Sequence, residues 1–404
     1  MQVITENRVV PNLRFGEFEN DWNNHLLDDI ATFLKGKGIS KSEIDDDGMT
    51  ECIRYGELYV YYNELINEVK SKTNLKNIVL SKANDVIIPA SGETQLDIAT
   101  ASCVLRSGIA LGGDLNIIRT DNNGVFLSYY LNSKKKFEIA RLSQGSSVVH
   151  LYASQLKTLK LNLPSLPEQQ KIASFLSVVD EKIQQLTKKK DLLETYKKGV
   201  MQKIFSKELR FKDEFGNNYP DWEEKKLGEE LEHKSIRNKS NQVDLVLSVS
   251  NKKGFISQQE QFDGHQVASK DVTNYKVVNK GEYAYNPSRI NVGSIARLDD
   301  FEKGIVSPMY VIFRLKNNLN PIFFDALYNS HRFKYLIKIG CSGSVRDSLN
   351  FDEMEKFDIK LPCIEEQQKI ANFLSSIDKK IDLVNTQIEN TKAFKKGLLQ
   401  QMFV

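Results

Sequence analysis

The sequence lacks the features that mark secreted, membrane-spanning and zinc-binding proteins. Its four cysteines are scattered, at Cys52, Cys103, Cys341 and Cys363. They form no C-x-x-C pair, which argues against a zinc site and fits a reducing compartment. No stretch approaches about 18 consecutive apolar residues, the length that a membrane-spanning helix needs. The segment from Met1 to Arg14 is polar and has no apolar signal-peptide core. We therefore expect a cytoplasmic protein.

Motifs for nucleotide and metal chemistry are also missing. The chain has no G-x-x-x-x-G-K-[ST] loop for ATP and no glycine-rich strand-to-helix turn suited to a nucleoside cofactor. Its five histidines show no metal-ligand spacing. The acidic run at residues 45–47 is typical of a solvated turn. The net charge of +3 over 404 residues is too small to identify a nucleic-acid partner by itself. The sequence thus predicts no catalytic residue and no metal site.

What the sequence does have is a long segment that occurs twice. Residues 163–177 read Leu-Pro-Ser-Leu-Pro-Glu-Gln-Gln-Lys-Ile-Ala-Ser-Phe-Leu-Ser. Residues 361–375 read Leu-Pro-Cys-Ile-Glu-Glu-Gln-Gln-Lys-Ile-Ala-Asn-Phe-Leu-Ser. The two copies then stay in register without a gap as far as Phe205 and Phe403. Two copies of one segment predict a pseudo-dimer within a single chain rather than a solenoid, which needs three or more.

Both copies predict long helices with a seven-residue apolar period. The predicted helix–helix seam consists of Ile172, Leu176, Val179, Ile183, Leu186, Ile370, Leu374, Ile377, Ile381, Val384 and Ile388. Polar residues interrupt the pattern at Lys190, Lys197, Thr391 and Lys395. Apolar spacing held over about five heptads favours a coiled coil. Ser165 and Glu168 match a capping box at the start of the first helix. The alternative is two amphipathic helices, each packed on its own domain.

Two globular segments alternate with these helices. The first opens with Leu13-Arg14-Phe15 and Trp22, and the second with Leu209-Arg210-Phe211 and Trp222, so the repeat extends beyond the helix. Between these anchors and the helices the two segments barely resemble each other. We predict the following regions: a mixed α/β domain at 1–165, a helix at 166–206, a second mixed α/β domain at 207–363 and a helix at 364–404. The fold class is therefore α+β, with a pseudo-two-fold relation between two similar domains.

Within the two domains, short patterns predict individual elements. Strands are predicted at residues 55–60, 85–90, 156–161, 245–250 and 309–314. Residues 281–296 predict a strand, a polar turn and a second strand, and residues 323–337 have helical spacing.

The order of domain, Leu-Pro-x-x-x-Glu-Gln-Gln-Lys-Ile-Ala helix, second domain and same helix resembles the specificity subunit of type I restriction-modification systems. The stretch from Tyr285 to Ala296 also resembles one class of that family's target-recognition domains. The resemblance covers nearly the whole chain. It implies two target-recognition domains, each reading one half of a bipartite site in double-stranded DNA. It further implies that the two helices pair as an antiparallel coiled coil, set the spacing and dock the methyltransferase subunits.

The same resemblance places all chemistry on other subunits. Adenine-N6 methylation with S-adenosylmethionine, and cleavage driven by ATP with Mg, belong to partners, so this chain is expected to bind no cofactor itself. The expected partners are DNA, two methyltransferase subunits and, through the complex, the restriction (translocase-nuclease) subunits, with no membrane. Asn286-Pro287 begins like the Asn/Asp-Pro-Pro-aromatic motif of amino-methyltransferases, but Ser288 and Arg289 follow, so the match fails.

Two other interpretations of the sequence remain open. The chain could be a coiled-coil scaffold whose globular domains bind proteins, or an enzyme with an unrecognised site. Salt-sensitive binding to duplex DNA separates a DNA reader from a scaffold, because contacts to phosphates release counterions. Methylation by the purified chain alone would favour the enzyme.

DNA-reading proteins present Arg, Lys, Asn or Gln to base edges and Lys or Arg to phosphates. The predicted DNA-binding residues are Lys35, Lys37, Lys41 and Arg106 in the first domain, and Lys252, Lys253, Ser288, Arg289, Asn291 and Arg346 in the second. Residues 35–41 are predicted to form a flexible basic loop whose glycines let the backbone approach a partner closely. Arg289 is the strongest candidate, because a polar turn between two strands can project it into a groove. The alternative for each is a solvated surface charge.

Overall fold

The computed structural model describes residues 9–251, 253–258, 271–341 and 348–404. The chain divides into unit 1, formed by Met1–Lys188 with Asn385–Val404, and unit 2, formed by Lys189–Val384. The first long helix is Leu166–Phe205 and the second long helix is Ile364–Gln401. Each unit therefore holds one globular domain, the start of one long helix and the end of the other.

Unit 1 is built around a five-stranded sheet. In sheet order its strands are Ala31–Lys35, Leu115–Thr120, Asp85–Pro89, Ser102–Val104 and Leu65–Ile66. A four-stranded sheet contains Ser71–Thr73, Thr50–Ile53, Ala110–Leu111 and Val79–Leu80. Two-stranded pairs join Asn23–Leu26 to Lys160–Leu163 and Ser91–Gly92 to Val149–His150. Every residue of the central strand Asp85–Pro89 is buried, which suits its β-branched run.

Helices complete the core of unit 1. They are Leu27–Ile30, Glu57–Val60, Gln95–Ile98, Gly124–Ser133, Lys136–Leu142 and Ala153–Leu156, with a 3-10 turn at Lys41–Glu43. The helix Gly124–Ser133 brings Phe126 against Trp22 and Phe403, with ring centroids 5.8 and 5.3 Å away. The opening segment of the domain and the end of the second long helix therefore share one core.

Unit 2 has a smaller central sheet with the strand order Leu231–Lys234, Val311–Leu315, Tyr283–Tyr285 and Ile295–Arg297. Antiparallel pairs join Glu223–Lys226 to Asp358–Leu361, Leu247–Ser250 to Gly254–Ser257, and Lys276–Asn279 to Lys303–Val306. Helices within the described ranges of unit 2 include Pro321–Tyr328, His331–Gly340 and Phe351–Glu355, with 3-10 turns at Leu227–Glu230 and Ile290–Val292. Phe323, at the start of Pro321–Tyr328, packs against Trp222 and Phe205. This arrangement repeats the aromatic core of unit 1.

Three segment predictions need correction. Residues 55–60 form a helix, Glu57–Val60, rather than a strand. The Glu57 carboxylate is buried and accepts hydrogen bonds from the Arg54 backbone N–H and the Ser71 hydroxyl, which closes a turn where a strand was predicted. Residues 156–161 do not form a single strand. Leu156 is the last residue of the helix Ala153–Leu156, and the strand Lys160–Leu163 begins only at Lys160.

The third correction concerns residues 323–337, where the helical pattern breaks into two helices. Ser330 lies between them, and its side chain accepts from the backbone N–H of Phe333. A serine that caps a second helix ends the first one. The remaining segment predictions, at residues 85–90, 245–250, 281–296 and 309–314, each contain the expected strands.

The basic loop at residues 35–41 is anchored rather than flexible at Gly36. The Gly36 N–H donates to the carbonyl of Leu115, and the Lys37 N–H to that of Leu111. A Cβ added at Gly36 would lie 1.8 Å from the carbonyl oxygen of Gly112. Glycine is therefore needed here because the chain presses against its own backbone, not because a partner approaches.

We expect Gly36→Ala to lower the free energy of unfolding of unit 1 by about 1–3 kcal/mol, the usual range for an overpacked site. Urea denaturation followed by circular dichroism measures the effect. Gly38→Ala is the matched control, because nothing lies within 4 Å of a Cβ at Gly38. Equal midpoints for the two variants would contradict the close backbone contact.

Candidate DNA interface and repeated helix motif

The turn that carries Arg289 is held by its own backbone hydrogen bonds. It connects the antiparallel strands Tyr283–Tyr285 and Ile295–Arg297. The N–H of Arg289 donates to the carbonyl of Asn286 at 2.9 Å, and Gly293 adopts a φ of +94°, which lets the chain turn back. Three of the predicted DNA-binding residues are exposed on this turn: Ser288, Arg289 and Asn291.

A second turn lies beside it and carries exposed Lys253. The Ser294 hydroxyl donates to the carbonyl of Val249 at 3.1 Å, which joins the two hairpins. A Cβ on Gly293 would lie 3.6 Å from the Cβ of Asn251, so the turns are in contact. The structure thus brings four predicted residues onto one surface, which we name the unit 2 loop surface: Lys253, Ser288, Arg289 and Asn291.

The predicted residues of the first domain fall into two groups. Lys35, Lys37 and Lys41 are exposed along one segment, from the end of strand Ala31–Lys35 to the 3-10 turn. Arg106 is already engaged: its guanidinium lies 2.8 Å from the Glu51 carboxylate and donates to a backbone carbonyl at 2.7 Å. A DNA contact by Arg106 would have to share these donors, so the lysines are the better placed candidates.

The two remaining predicted residues, Lys252 and Arg346, lie outside the described residues. For the other eight, exposure fits a DNA contact and a solvated surface charge alike. Their assignment to DNA stays a prediction.

Sequence reasoning missed the role of the Glu in the repeated Glu-Gln-Gln motif. Glu168 is 1% exposed, and its two carboxylate oxygens accept from the Arg14 guanidinium at 2.7 Å each. The indole N–H of Trp22 also donates to it. The hydrogen bond to Glu168 raises the pKa of Arg14 against the opposing effect of burial. Glu168 therefore joins the first long helix to the opening segment, a role different from the capping box that the sequence predicted.

Unit 2 contains the same arrangement. Glu366 is buried and accepts from the Arg210 guanidinium and from the indole N–H of Trp222. The Arg and Trp of each opening segment were visible as a sequence repeat, but their pairing with the helix was not predicted. The signal that could have found it is the joint recurrence of Arg, Trp and Glu in both halves.

The next motif residue, a glutamine, fixes a neighbouring helix. The Gln169 side chain accepts from the backbone N–H of Asn123 at 3.0 Å and donates to the carbonyl of Pro164. Gln367 does the same with the N–H of Asn320 and the carbonyl of Pro362. Asn123 and Asn320 are the N-caps of the helices Gly124–Ser133 and Pro321–Tyr328. These two helices are therefore structurally equivalent.

Two lysines that interrupt the apolar pattern form equivalent ion pairs between the long helices. In unit 1, Lys395 lies 2.8 Å from the Asp180 carboxylate and 2.9 Å from that of Glu64. In unit 2, Lys197 lies 2.6 Å from the Asp378 carboxylate. Burial disfavours the charge of Lys395, but the two carboxylates outweigh it and raise its pKa. Each pair holds the start of one helix beside the end of the other.

The predicted seam residues lie in the contact between the two long helices or continue the same apolar stripe along each helix. All eleven are buried except Ile183 and Ile381, which are half-buried. In unit 1, Ile172, Leu176 and Val179 share a core with Leu398 and Met402. In unit 2, the core contains these residues: Val200, Ile204, Ile370, Leu374 and Ile377. Within each unit the two long helices therefore pack on each other in the antiparallel sense and also on the domain.

We expect Lys395→Met to destabilise unit 1 by about 3–5 kcal/mol, because it leaves two largely buried carboxylates without their cation. The equivalent Lys197→Met is the control. Its pair is more exposed, 29% and 47% against 14% and 17%, and should contribute about 0–1 kcal/mol. Thermal unfolding of both variants measures the difference. Equal losses of stability in the two variants would show that burial does not determine how much these ion pairs stabilise the fold.

Two further observations bear on function. Within the described ranges, no cluster of three or more His, Cys, Asp or Glu side chains has the geometry to hold a metal ion. Among the helices that the structure describes, none has the length and apolar character needed to cross a membrane.

Comparison with known proteins gives matches along nearly the entire chain. The family model described as the type I restriction modification DNA specificity domain matches twice, at residues 19–195 and 219–392. A protein named the type I restriction enzyme MjaX specificity subunit, from Methanocaldococcus jannaschii, is 29% identical over 95% of this chain and 93% of its own. The MjaVIII specificity subunit of the same organism is 24% identical over 94% and 91%.

Solved structures show the same fold. The crystal structure of the S subunit of a type I restriction-modification system from M. genitalium covers 98% of this chain and 99% of its own. Its TM-score is 0.61 at 17% sequence identity. At that identity the match concerns the fold alone, and it agrees with two mixed α/β domains and two long helices.

Proposed function

The chain belongs to the type I restriction-modification DNA specificity family, and we propose how its two units divide the reading of DNA. It is a specificity subunit with two target-recognition domains, and it is not itself the catalyst. It assembles with other subunits of the complex and binds DNA. This membership favours the DNA reader over the scaffold and over an enzyme with an unrecognised site.

Each globular domain reads one half of a bipartite site in our proposal. The observation that carries it is that both units share the Arg-Trp-Glu and Gln-Asn contacts while their sheets differ in strand number and order. Identical attachments place two domains equivalently on the helices, and different interiors present different side chains. Two different half-sites are the expected consequence.

We assign the unit 2 loop surface to the DNA groove. It presents a guanidinium, an ammonium, an amide and a hydroxyl from two turns that are fixed by hydrogen bonds, which limits the entropy lost when they contact bases. Arginine reads guanine through a bidentate contact in the major groove. In unit 1 the corresponding role falls to the three exposed lysines at 35, 37 and 41, which suit phosphates.

The remaining functions belong to partners in this proposal. The long helices dock two methyltransferase subunits, which carry S-adenosylmethionine, and the restriction subunits join through the complex with ATP and Mg. The chain itself supplies sequence recognition and spacing, and holds no cofactor. Such a complex acts on DNA in the cytoplasm.

The sharpest test of the interface is Arg289→Ala in the assembled complex. Loss of a bidentate base contact should cost about 1–3 kcal/mol and relax one half-site while the other keeps its sequence. Methylation mapping on a library of variant sites measures both halves at once. Arg289→Lys is the control: it restores binding if Arg289 contacts a phosphate, and leaves specificity relaxed if Arg289 reads a base. Unchanged specificity in both variants removes Arg289 from the interface.

The spacing function is tested by lengthening the first long helix. Four residues inserted near Lys188-Lys189-Lys190 add about 6 Å and close to one helical turn, so the apolar track keeps its direction. We expect the unread gap to lengthen while both half-site sequences stay the same. Four residues inserted between Phe215 and Gly216, in an exposed turn, should leave the gap unchanged. An altered half-site with an unchanged gap would contradict the role of the helix as a spacer.

A further inference from the structure

The two equivalent ion pairs between the long helices differ in what covers them. In unit 1 the pair is closed by Tyr129, which is fully buried. Its hydroxyl donates to the Asp180 carboxylate at 2.5 Å, and the Lys395 ammonium lies 5.2 Å from the centre of its ring. Unit 1 thus shows which group complements a Lys–Asp pair at this position: a phenol that gives a hydrogen bond to the aspartate and a π face to the lysine.

The equivalent position in unit 2 is an alanine. Tyr129 is the sixth residue after the N-cap Asn123, and Ala326 is the sixth residue after the N-cap Asn320. Both caps bond to the motif glutamine, and the third residue after each cap is a phenylalanine on the domain's tryptophan. Ala326 therefore occupies the place of Tyr129 and lacks its ring.

The space beside Ala326 is part of a groove of about 870 Å³ within unit 2. Its walls include Lys197, Asp378 and Ala326, the three counterparts of the unit 1 cluster, and apolar surface from Met201 and Leu374. The Asp378 side chain is 47% exposed, against 17% for Asp180. The groove therefore offers an apolar wall, an accessible carboxylate acceptor and an ammonium group in the arrangement that Tyr129 satisfies in unit 1.

We infer that this groove receives a tyrosine side chain from the methyltransferase subunit that docks on the long helices. The phenol hydroxyl donates to Asp378, and the ring packs on Ala326 beside Lys197. The groove is also lined by basic side chains, among them Lys198, Arg332 and Lys334. The counterpart ring of Tyr129 in unit 1, rather than the charge of the groove, is what favours a phenol over a phosphate. The inference rests on the proposed function, since it names a contact of the partner subunits.

The first test uses the full chain and p-cresol, which is the tyrosine side chain as a free molecule. Isothermal titration and ligand-observed NMR should show saturable binding of p-cresol at one site. Toluene, which lacks the hydroxyl, should bind at least about tenfold more weakly, because a hydrogen bond to a charged acceptor contributes about 1.5–3 kcal/mol. Equal binding of the two compounds, or no p-cresol binding, would overturn the inference.

Two variants then connect the groove to the partner. Ala326→Tyr supplies the ring from within, so it should abolish p-cresol binding and weaken assembly with the methyltransferase subunit by about tenfold or more. Asp378→Asn adds no bulk at an exposed position; it should reduce p-cresol affinity towards that of toluene and weaken assembly in the same direction. It also covers the case in which Ala326→Tyr fails to fold.

If Ala326→Tyr assembles with wild-type affinity, a partner tyrosine in the groove is ruled out. Where that variant does not fold, wild-type affinity of Asp378→Asn has the same meaning. That outcome leaves specific DNA methylation by the wild-type complex intact, so the proposed function would stand. A wild-type complex that shows no specific DNA binding would instead contradict the proposed function.

Discussion

The buried carboxylates of Glu168 and Glu366 are the interactions on which each unit depends. A carboxylate removed from water costs several kcal/mol unless its charge is paired and its oxygens accept hydrogen bonds. Each of these two is satisfied by an arginine and a tryptophan from the segment that opens its domain. Since the glutamate sits in the first turn of a long helix, the charge can be buried only when helix and opening segment meet correctly. A single polar contact thereby fixes the position of a domain on its helix.

Much of this architecture could be predicted from the repeat. The two long helices, the opening segments and the apolar seam all follow from residues that recur in register, because burial in equivalent places demands equivalent side chains. The ion pairs were missed because each of them joins one helix to the other. Lys395 and Lys197 therefore look like defects when the periodicity of one helix is read alone. Their aspartate partners recur at the same spacing, which is the signal that a comparison of both copies contains.

The interiors of the domains were less predictable for a different reason. Residues 55–60 have the composition of a strand, yet the buried Glu57 forms a helical turn through contacts with Arg54 and Ser71. The contact with Arg54 spans three residues and belongs to the local pattern, but the one with Ser71 spans fourteen and cannot be read from residues 55–60 alone. The DNA-binding residues are harder still, since an exposed arginine such as Arg289 satisfies no constraint of the fold. Its exposure fits a DNA contact and a solvated charge alike, so only its position on a hydrogen-bonded turn distinguishes it from other surface charges.

The shared contacts also explain how the two domains can differ so widely. The shared hydrogen bonds join the opening segment and one N-capped helix to the start of a long helix. The strands of the central sheets contribute apolar side chains to the same cores, but none of these hydrogen bonds. Changes in an exposed reading turn therefore leave these hydrogen bonds in place. The replacement of Tyr129 by Ala326 at equivalent positions shows the opposite case, in which the attachment region itself has diverged. A difference there cannot serve sequence reading through the sheets, because it faces the long helices. We therefore expect this difference to affect what binds to the long helices.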